Sequence, residues 1–424
     1  MQKIINNKIT KDILWALLPC LAVLFLALAG GVKTFPFPDT AEYVELSKSL
    51  TTDFSFESSN TSLCRRVPGY PFFLMLFSAF GNYNFLIINI LAVFGFTWFG
   101  MRLAEKWNIK HSYILPILIL LSPGLLTLAS VPLSEIIFIF FLTMSIYYFV
   151  SDKFFVSSLA LSAATFCRPV SIFLFLLFAA WLIWKKKKVI LILLFILGAN
   201  LLPVLWTARN YIKYDYPVYT TASNFYLLYY KAGSYLSWKN DIPFNDMREQ
   251  LGKQLEGDNV FEKSASAGKL GRKILLDNFW GFCLWAPRDI IKFFMPDISP
   301  FLERLHIVSG NRGTLDILRR KGILAAFNHY FNNNIGAMIA TFVYLVFYCL
   351  LCVVIIAGII RLWIEKHYEK LICGALLTGY FWILPIGNLD WRFRMPIMPL
   401  LFILIIYGFK GLSNWQLTRK SRVK

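Results

Sequence analysis

The chain has 424 residues, 57% of them hydrophobic and 16% charged, and a formal net charge of +19. Soluble domains are about a quarter charged, and several runs here approach the roughly 20 apolar residues that a bilayer-spanning helix needs; the chain reads as a polytopic membrane protein. The placement of its charge excludes nucleic acid as a partner, because Lys and Arg collect at the ends of particular apolar segments, as they do when positive charge stays on the cytoplasmic face.

Lys3, Lys8 and Lys11 precede a first span, about Ile13 to Gly31, and place the N-terminus in the cytoplasm. The run is too long for a removed signal peptide and has no clear small-residue cleavage site, so it reads as an anchor. A first external loop follows over 32–81. In it, Thr40 to Leu50 reads as a short helix capped by Asp39 or Thr40. Pro71 to Phe80 is apolar but too short to cross and is expected in the interface. The second span, about Tyr83 to Met101, returns to Arg102, Lys106 and Lys110. The third starts near Tyr113 and breaks at Ser122-Pro123-Gly124. The fourth, about Leu133 to Val150, ends at Asp152-Lys153.

The segment from Phe154 to Trp184 is long for one span and short for two, with Arg168-Pro169 at its middle and Lys185-Lys186-Lys187-Lys188 at its end. One kinked helix would put that lysine run outside, whereas a hairpin of two short helices keeps it inside; the hairpin is expected. A seventh span, about Val189 to Trp206, leads into an external region, in which about Asn245 to Glu256 and about Ala265 to Asn278 read as helices. Phe279 to Met295 mixes aromatics with Arg288, Asp289 and Lys292 and suits a helix lying on the membrane surface. Turn formers occur at Asp215-Tyr216-Pro217, Asp241-Ile242-Pro243 and Ser309-Gly310-Asn311. Three further spans, about Ile335 to Leu362, Leu371 to Gly387 and Met395 to Phe409, alternate with Arg361, Lys366 and Lys370 inside and Asn388 to Arg394 outside. The basic tail from Lys410 to Lys424 closes the chain inside and draws weakly on anionic lipid.

The expected fold is therefore an all-α bundle of about ten transmembrane helices (about nine to twelve) with juxtamembrane external helices. It divides into an N-terminal membrane module over 1–206, an external region over 207–334 and C-terminal membrane helices with the basic tail over 335–424. Nothing repeats at a fixed period, so an inverted-repeat transporter gains no support. Cys20, Cys167, Cys349, Cys352 and Cys373 lie in apolar segments and behave as small hydrophobes. Cys64 and Cys283 face the external side, where one disulfide is open to them.

This topology gathers the unusual residues at one membrane face: Asp39, Glu42, Arg65, Arg66, Glu135, Arg168, Arg209, Arg392 and Arg394. Each has a plain role available: Asp39 as a helix cap, Glu135 as a carboxylate in a first helical turn, Arg209 and Arg394 as cations reaching for the interface. Together they describe an anion site beside a base. Transfer of a sugar from a lipid phosphate needs such a set, with a carboxylate to take the acceptor's proton and guanidiniums to hold the departing phosphate bidentately. Asp39, Glu42 and Glu135 could also hold Mg²⁺ or Mn²⁺ if they converge; no spacing requires it, so no cofactor is assigned and a divalent cation stays open.

The motifs in this set resemble those of the GT-C superfamily of polyprenyl-phosphate-sugar-dependent glycosyltransferases, nearest to the protein O-mannosyltransferase and aminoarabinose transferase branch. Pro38-Asp39-Thr40-Ala41-Glu42-Tyr43 resembles the acidic motif of the first external loop, and Arg66-Val67-Pro68-Gly69-Tyr70-Pro71 the motif after it. Leu133-Ser134-Glu135, Cys167-Arg168-Pro169, Trp206 to Tyr211 with Tyr216-Pro217-Val218 and Thr220 to Tyr226, and Arg392 to Pro396 follow in matching order. The resemblance implies a GT-C-like bundle in the plasma (inner) membrane, both termini cytoplasmic, and an inverting transfer at the external face. Asp39 would be the general base, with Glu42 and Glu135 in the catalytic set. Arg65, Arg66, Tyr70, Arg168, Arg209, Asn210, Arg392 and Arg394 would hold lipid phosphate and sugar. The partners implied are a polyprenyl-phosphate-linked sugar donor, a glycan, lipid or protein acceptor, and membrane lipid.

Two departures bear on the acceptor. Thr40 and Ala41 separate the two acids, unlike the adjacent Asp-Glu pair of the mannosyltransferases proper, and the external region lacks their added sugar-binding domain. The competing readings are a lipid-linked sugar flippase or secondary transporter, which would carry its ionisable residues near the bilayer midplane, and a polysaccharide polymerase or ligase using a lipid-linked glycan.

Overall fold

The computed structural model describes residues 2–32, 37, 39–53, 55–57, 63–109, 111–308, 314–331, 334–387 and 390–409, with the backbone alone for 2–7, 289, 291, 314–316 and 318–320. Pro38 of the first motif, Lys110, the turn at Ser309-Gly310-Asn311, the Asn388-Leu389 pair and the tail from Lys410 lie outside the described residues. Among the described residues every regular element is helical. In chain order these are α1 (Gln2–Ala29), α2 (Asp39–Asp53), α3 (Gly69–Leu76), α4 (Asn84–Lys106), α5 (Ile114–Leu120), α6 (Pro123–Ala129), α7 (Glu135–Val150), α8 (Phe154–Cys167), α9 (Leu174–Trp184) and α10 (Val189–Tyr214). The region between membrane modules holds α11 (Ala222–Tyr226), α12 (Gly233–Lys239), α13 (Phe244–Gly252), α14 (Val260–Asp277), α15 (Phe279–Trp285), α16 (Ile290–Phe293), α17 (Ser299–Arg304) and α18 (Thr314–Phe331). α19 (Ile335–Ile364), α20 (Tyr368–Ile383) and a last helical stretch, Trp391–Phe409, complete the chain.

Among the described residues five stretches are long and apolar enough to cross a membrane: Lys8–Ala29, Ser78–Lys106, Val189–Tyr214, Ile335–Ile364 and Trp391–Phe409. α7, α8 and α9 are apolar but shorter, and α20 has 16 residues. The expected third span is two seven-residue helices, α5 and α6, split at Ser122-Pro123. Pro at the first helical position starts a helix and cannot continue one, which is why that break was legible. α19 turns Ile339, Phe342, Val343, Leu350 and Val353 outward, a surface suited to lipid and costly in water. These features describe an all-α membrane protein.

Arg168 takes an extended conformation (φ −147°, ψ 127°) between α8 and a short 3-10 turn from Pro169. A residue before proline is pushed out of the helical region, so the 154–184 segment becomes the expected hairpin. The surface helix expected over Phe279 to Met295 is instead three pieces, interrupted where Pro287 enters a 3-10 turn. Its outward Trp280 and Leu284 remain about four-fifths exposed.

The bundle centre is α4, α7, α8 and α10 packed in sequence, with α1 against α4. Small residues allow the close approach usual between membrane helices: Ser145 of α7 and Ser157 of α8 donate to each other's carbonyls at 2.9 and 2.8 Å. Gly358 of α19 faces the Leu404 carbonyl so closely that no Cβ would fit.

Candidate active site

Three structural ties set the site. Asn89, fully buried on α4, donates to the carbonyls of Ala129 and Val131 at 3.0 and 2.8 Å. Arg304, also buried, donates to the carbonyls of Gly30, Gly31 and Ser130 at 2.8, 2.9 and 3.2 Å. Held from both sides, the 129–134 turn delivers Glu135 to the first turn of α7, where a carboxylate opposes the helix dipole. On the other flank, Thr220 donates to the Arg65 carbonyl at 2.7 Å and the Thr221 N–H to that of Cys64 at 3.0 Å. This fixes the segment leading into Arg65-Arg66. Gly69, at the start of α3, lies against the backbone of Phe166 and Cys167 with no room for a Cβ, which brings α3 and the Arg168 end of α8 together.

The result is one alternating chain of charges. Arg65 pairs with Glu42 at 3.1 Å, and Glu42 with Arg66 at 2.5 Å. Arg66 reaches Asp39 Oδ1 at 2.8 Å, and Arg392 reaches Asp39 Oδ2 at 3.4 Å. Arg392 then bonds Glu135 Oε1, and Arg168 holds Glu135 Oε2 at 2.7 Å. Seven residues that the sequence scatters from 39 to 392 thus meet, four arginines against three carboxylates, with positive charge in excess. Exposure is uneven: the Arg65 side chain is 47% exposed and that of Asp39 32%, but that of Glu135 only 3%.

Aromatic and hydroxyl groups floor the cluster. Arg66 lies over the Tyr43 ring, and Arg392 over Phe37 at 4.9 Å. Tyr43 shares a 3.1 Å hydrogen bond with Ser134, and its ring meets Tyr70 edge-on. Tyr70 is fully buried, so it supports Tyr43 from below and presents no surface to a ligand. A narrow cavity bounded by Glu135, Arg168 and Arg392 runs down between Phe138, Val170 and Phe381.

Burial pushes the Asp39 carboxyl up, but Arg66 and Arg392 outweigh it and hold the group below the usual carboxylate range. Burial works against the Arg66 charge, yet Tyr43, Asp39 and Glu42 hold its pKa above the ordinary value.

Besides Tyr70, three of the sequence-selected residues are not in this chain of charges. Arg209 donates to Asn210 Oδ1 at 2.9 Å and stacks on Trp206, while Asn210 donates to the Val218 carbonyl at 2.8 Å. The pair ties down the end of α10. Arg394 is 2% exposed and donates to the carbonyls of Phe293 and Met295 and to the Tyr348 hydroxyl at 3.1, 2.9 and 2.6 Å, with Asp297 at 3.7 Å. These bonds join the 293–297 segment, α19 and the last helical stretch, and assign Arg394 to structure. Asp297, Arg304 and Asn89 were missed by sequence reasoning; a buried charge or amide looks the same in sequence as an exposed one. Ser134 and Tyr43 lay inside the motifs but drew no attention because neither ionises near neutrality.

The carboxylates do not converge on a cation. Asp39, Glu42 and Glu135 each face arginines, and among the described residues no three His, Cys, Asp or Glu side chains could hold a metal ion. Cys64 is a buried free thiol and Cys283 an exposed one, so the disulfide left open for them is not formed. Comparison with known proteins finds no matching family model, no matching curated protein and no matching solved structure.

Proposed function

We propose that this protein is a membrane glycosyltransferase that moves a sugar from a polyprenyl-phosphate donor to an acceptor hydroxyl, inverting the anomeric centre. The observation that carries the reading is the alternating chain from Arg65 to Arg168, a partly exposed carboxylate flanked by two guanidiniums, one of which, Arg392, also lines a narrow crevice. The six motifs that resemble the GT-C superfamily support the same assignment. In the reaction the acceptor oxygen attacks the anomeric carbon while its proton passes to Asp39. The bond from that carbon to the phosphate oxygen breaks, and the electron pair leaves with the phosphate, whose charge Arg66, Arg168 and Arg392 meet. The plasma membrane, with the lysine runs in the cytoplasm and this site outside, is the proposed setting.

The resting contacts add a step. With both oxygens occupied, Asp39 is a poor base. A donor phosphate competes for the same two guanidiniums. As they turn to it, burial and the nearby Glu135 charge act on the carboxyl and raise its affinity for a proton. Donor binding thereby switches on the base.

The test uses purified full-length protein, short-chain polyprenyl-phosphate hexoses and pentoses, and membranes from cells lacking the gene as acceptor. Release of polyprenyl phosphate together with labelled acceptor is expected for at least one donor, and neither for Asp39→Asn. Donor turnover by Asp39→Asn equal to that of the wild type would overturn the assignment, as would failure of every donor while lipid-linked glycans change sidedness in vesicles.

A further inference from the structure

A second cavity lies at the far end of α7. That helix leaves the charge cluster at Glu135 and runs 16 residues to Val150, about 24 Å at about 1.5 Å per residue. There the end of α7, the start of α8, the last turns of α9 and the first turns of α20 leave a cleft of about 420 Å³. This is within the about 300–1,000 Å³ typical of small-ligand sites. α20 is pinned at its other end, where the Tyr380 hydroxyl donates to the Val170 carbonyl at 2.7 Å and accepts from the Phe173 N–H at 3.2 Å. The cleft lies at the lysine-bearing end.

The walls are apolar, with Phe149, Leu177, Phe178 and Leu377 among them, and the mouth carries Lys185, Lys187 and Lys370. Trp184, 54% exposed, lies under Lys185 at 4.9 Å. Exposed tryptophan beside lysine marks the headgroup level of a bilayer. Two acids share the mouth: Glu369 pairs with Lys185, and Asp152 with Lys187 at 2.8 Å. Both acid side chains are well exposed, 60% and 70%, and exposed pairs of this kind contribute little, so a phosphate can take either lysine. Lys186 and Lys188 flank the same mouth in sequence and add charge of the same sign.

We infer that this cleft is a binding site for an anionic phospholipid, with one acyl chain between α7, α9 and α20 and the phosphate among Lys185, Lys187 and Lys370. An uncharged apolar groove would accept any lipid; the cationic mouth selects. The site is separate from the charge cluster, and the inference stands or falls independently of sugar transfer.

Native mass spectrometry tests it, using the full chain from mixed micelles with equal phosphatidylglycerol and phosphatidylcholine. The wild type should retain phosphatidylglycerol over phosphatidylcholine by about tenfold, the effect of one or two lysines near an anionic headgroup. Lys187→Gln with Lys370→Gln should abolish the preference. Leu177→Trp, which fills the cleft without altering charge, should abolish retention, while the volume-conserving Leu177→Met should keep both; thermal unfolding of each variant verifies that it is folded. Equal retention of the two lipids by the wild type refutes selection. Undiminished preference in folded Leu177→Trp places the anionic lipid on the basic surface or tail and refutes the cleft, and so does a dimer that Leu177→Trp dissolves.

Discussion

The most exposed and the most buried acid of the charge chain, Asp39 and Glu135, should separate stability from chemistry. Asp39→Asn removes a carboxylate that is 32% exposed, and both of its partners keep another: Arg66 retains Glu42, and Arg392 retains Glu135. No guanidinium is stranded, so the loss of stability should be about that of an exposed pair, up to about 1 kcal/mol. Glu135→Gln differs in every respect. Its side chain is 3% exposed; among the described residues Arg168 loses its carboxylate contact and keeps the Ser134 hydroxyl at 3.4 Å, and Arg392 keeps Asp39 at 3.4 Å. Breaking a buried pair from one side costs about 3–5 kcal/mol.

Unfolding in mixed micelles measures the first quantity and donor turnover the second. Loss of a general base lowers turnover by about 10²–10⁴-fold. Asp39→Asn should therefore lose that much activity while remaining within about 1 kcal/mol of wild type, whereas Glu135→Gln should fall in both. If Asp39→Asn proves as destabilising as Glu135→Gln, Asp39 is a structural member of the chain and the catalytic reasoning fails.

Other outcomes follow from the same contacts. Arg209→Ala should loosen the end of α10, seen as faster hydrogen exchange near Val218, with the donor KM unchanged; a raised donor KM alone would return Arg209 to the phosphate. The Asp39 carboxyl is depressed in the fold, so its stabilising contribution is complete above the unfolded value of about 3.9 and disappears as the pH falls through the folded value. The difference in unfolding midpoint between wild type and Asp39→Asn should thus be constant from neutral pH down to about pH 4 and close below it, and a difference that varies between neutral and mildly acidic pH would contradict the assigned shift. Cys283 is exposed and should react with a membrane-impermeant maleimide added outside sealed cells, while a cysteine placed at Lys186 should not; the reverse pattern would invert the proposed topology.

Much of the fold was legible because its signals are local. Apolar length located the five stretches that, among the described residues, are long enough to cross a membrane, and Ser122-Pro123 and Arg168-Pro169 located two breaks. Helix lengths were less legible: α10 extends to Tyr214, two turns beyond the apolar run, because Asn210 and Arg209 satisfy the polar end through neighbours that composition cannot reveal. The charge cluster was half legible. Its members were visible as charges at span ends, but their alternation was not, since the order Glu42, Arg66, Asp39, Arg392, Glu135 arises only when α2, α7 and the last helical stretch meet.

Arg392 and Arg394 show where a stricter sequence reading would have succeeded. Both were assigned to the phosphate because both sit at the start of an apolar stretch. That stretch begins as a 3-10 turn, Trp391–Ile397, announced by Asp390, whose side chain caps the Trp391 N–H at 2.7 Å. At three residues per turn, positions two apart are separated by about 120° around the axis, so the two side chains leave the turn on different faces. One faces Asp39 and Glu135; the other faces a different side, where Asp297, Tyr348 and two carbonyls receive it. Arg394→Lys keeps the charge but not the fork that reaches three acceptors. It should lower stability by more than about 1 kcal/mol and reduce turnover only as far as Arg392 shifts. Excess donor should then restore the wild-type rate if Arg394 acts through Arg392. A rate deficit that persists at saturating donor, with stability intact, would make Arg394 a direct participant after all.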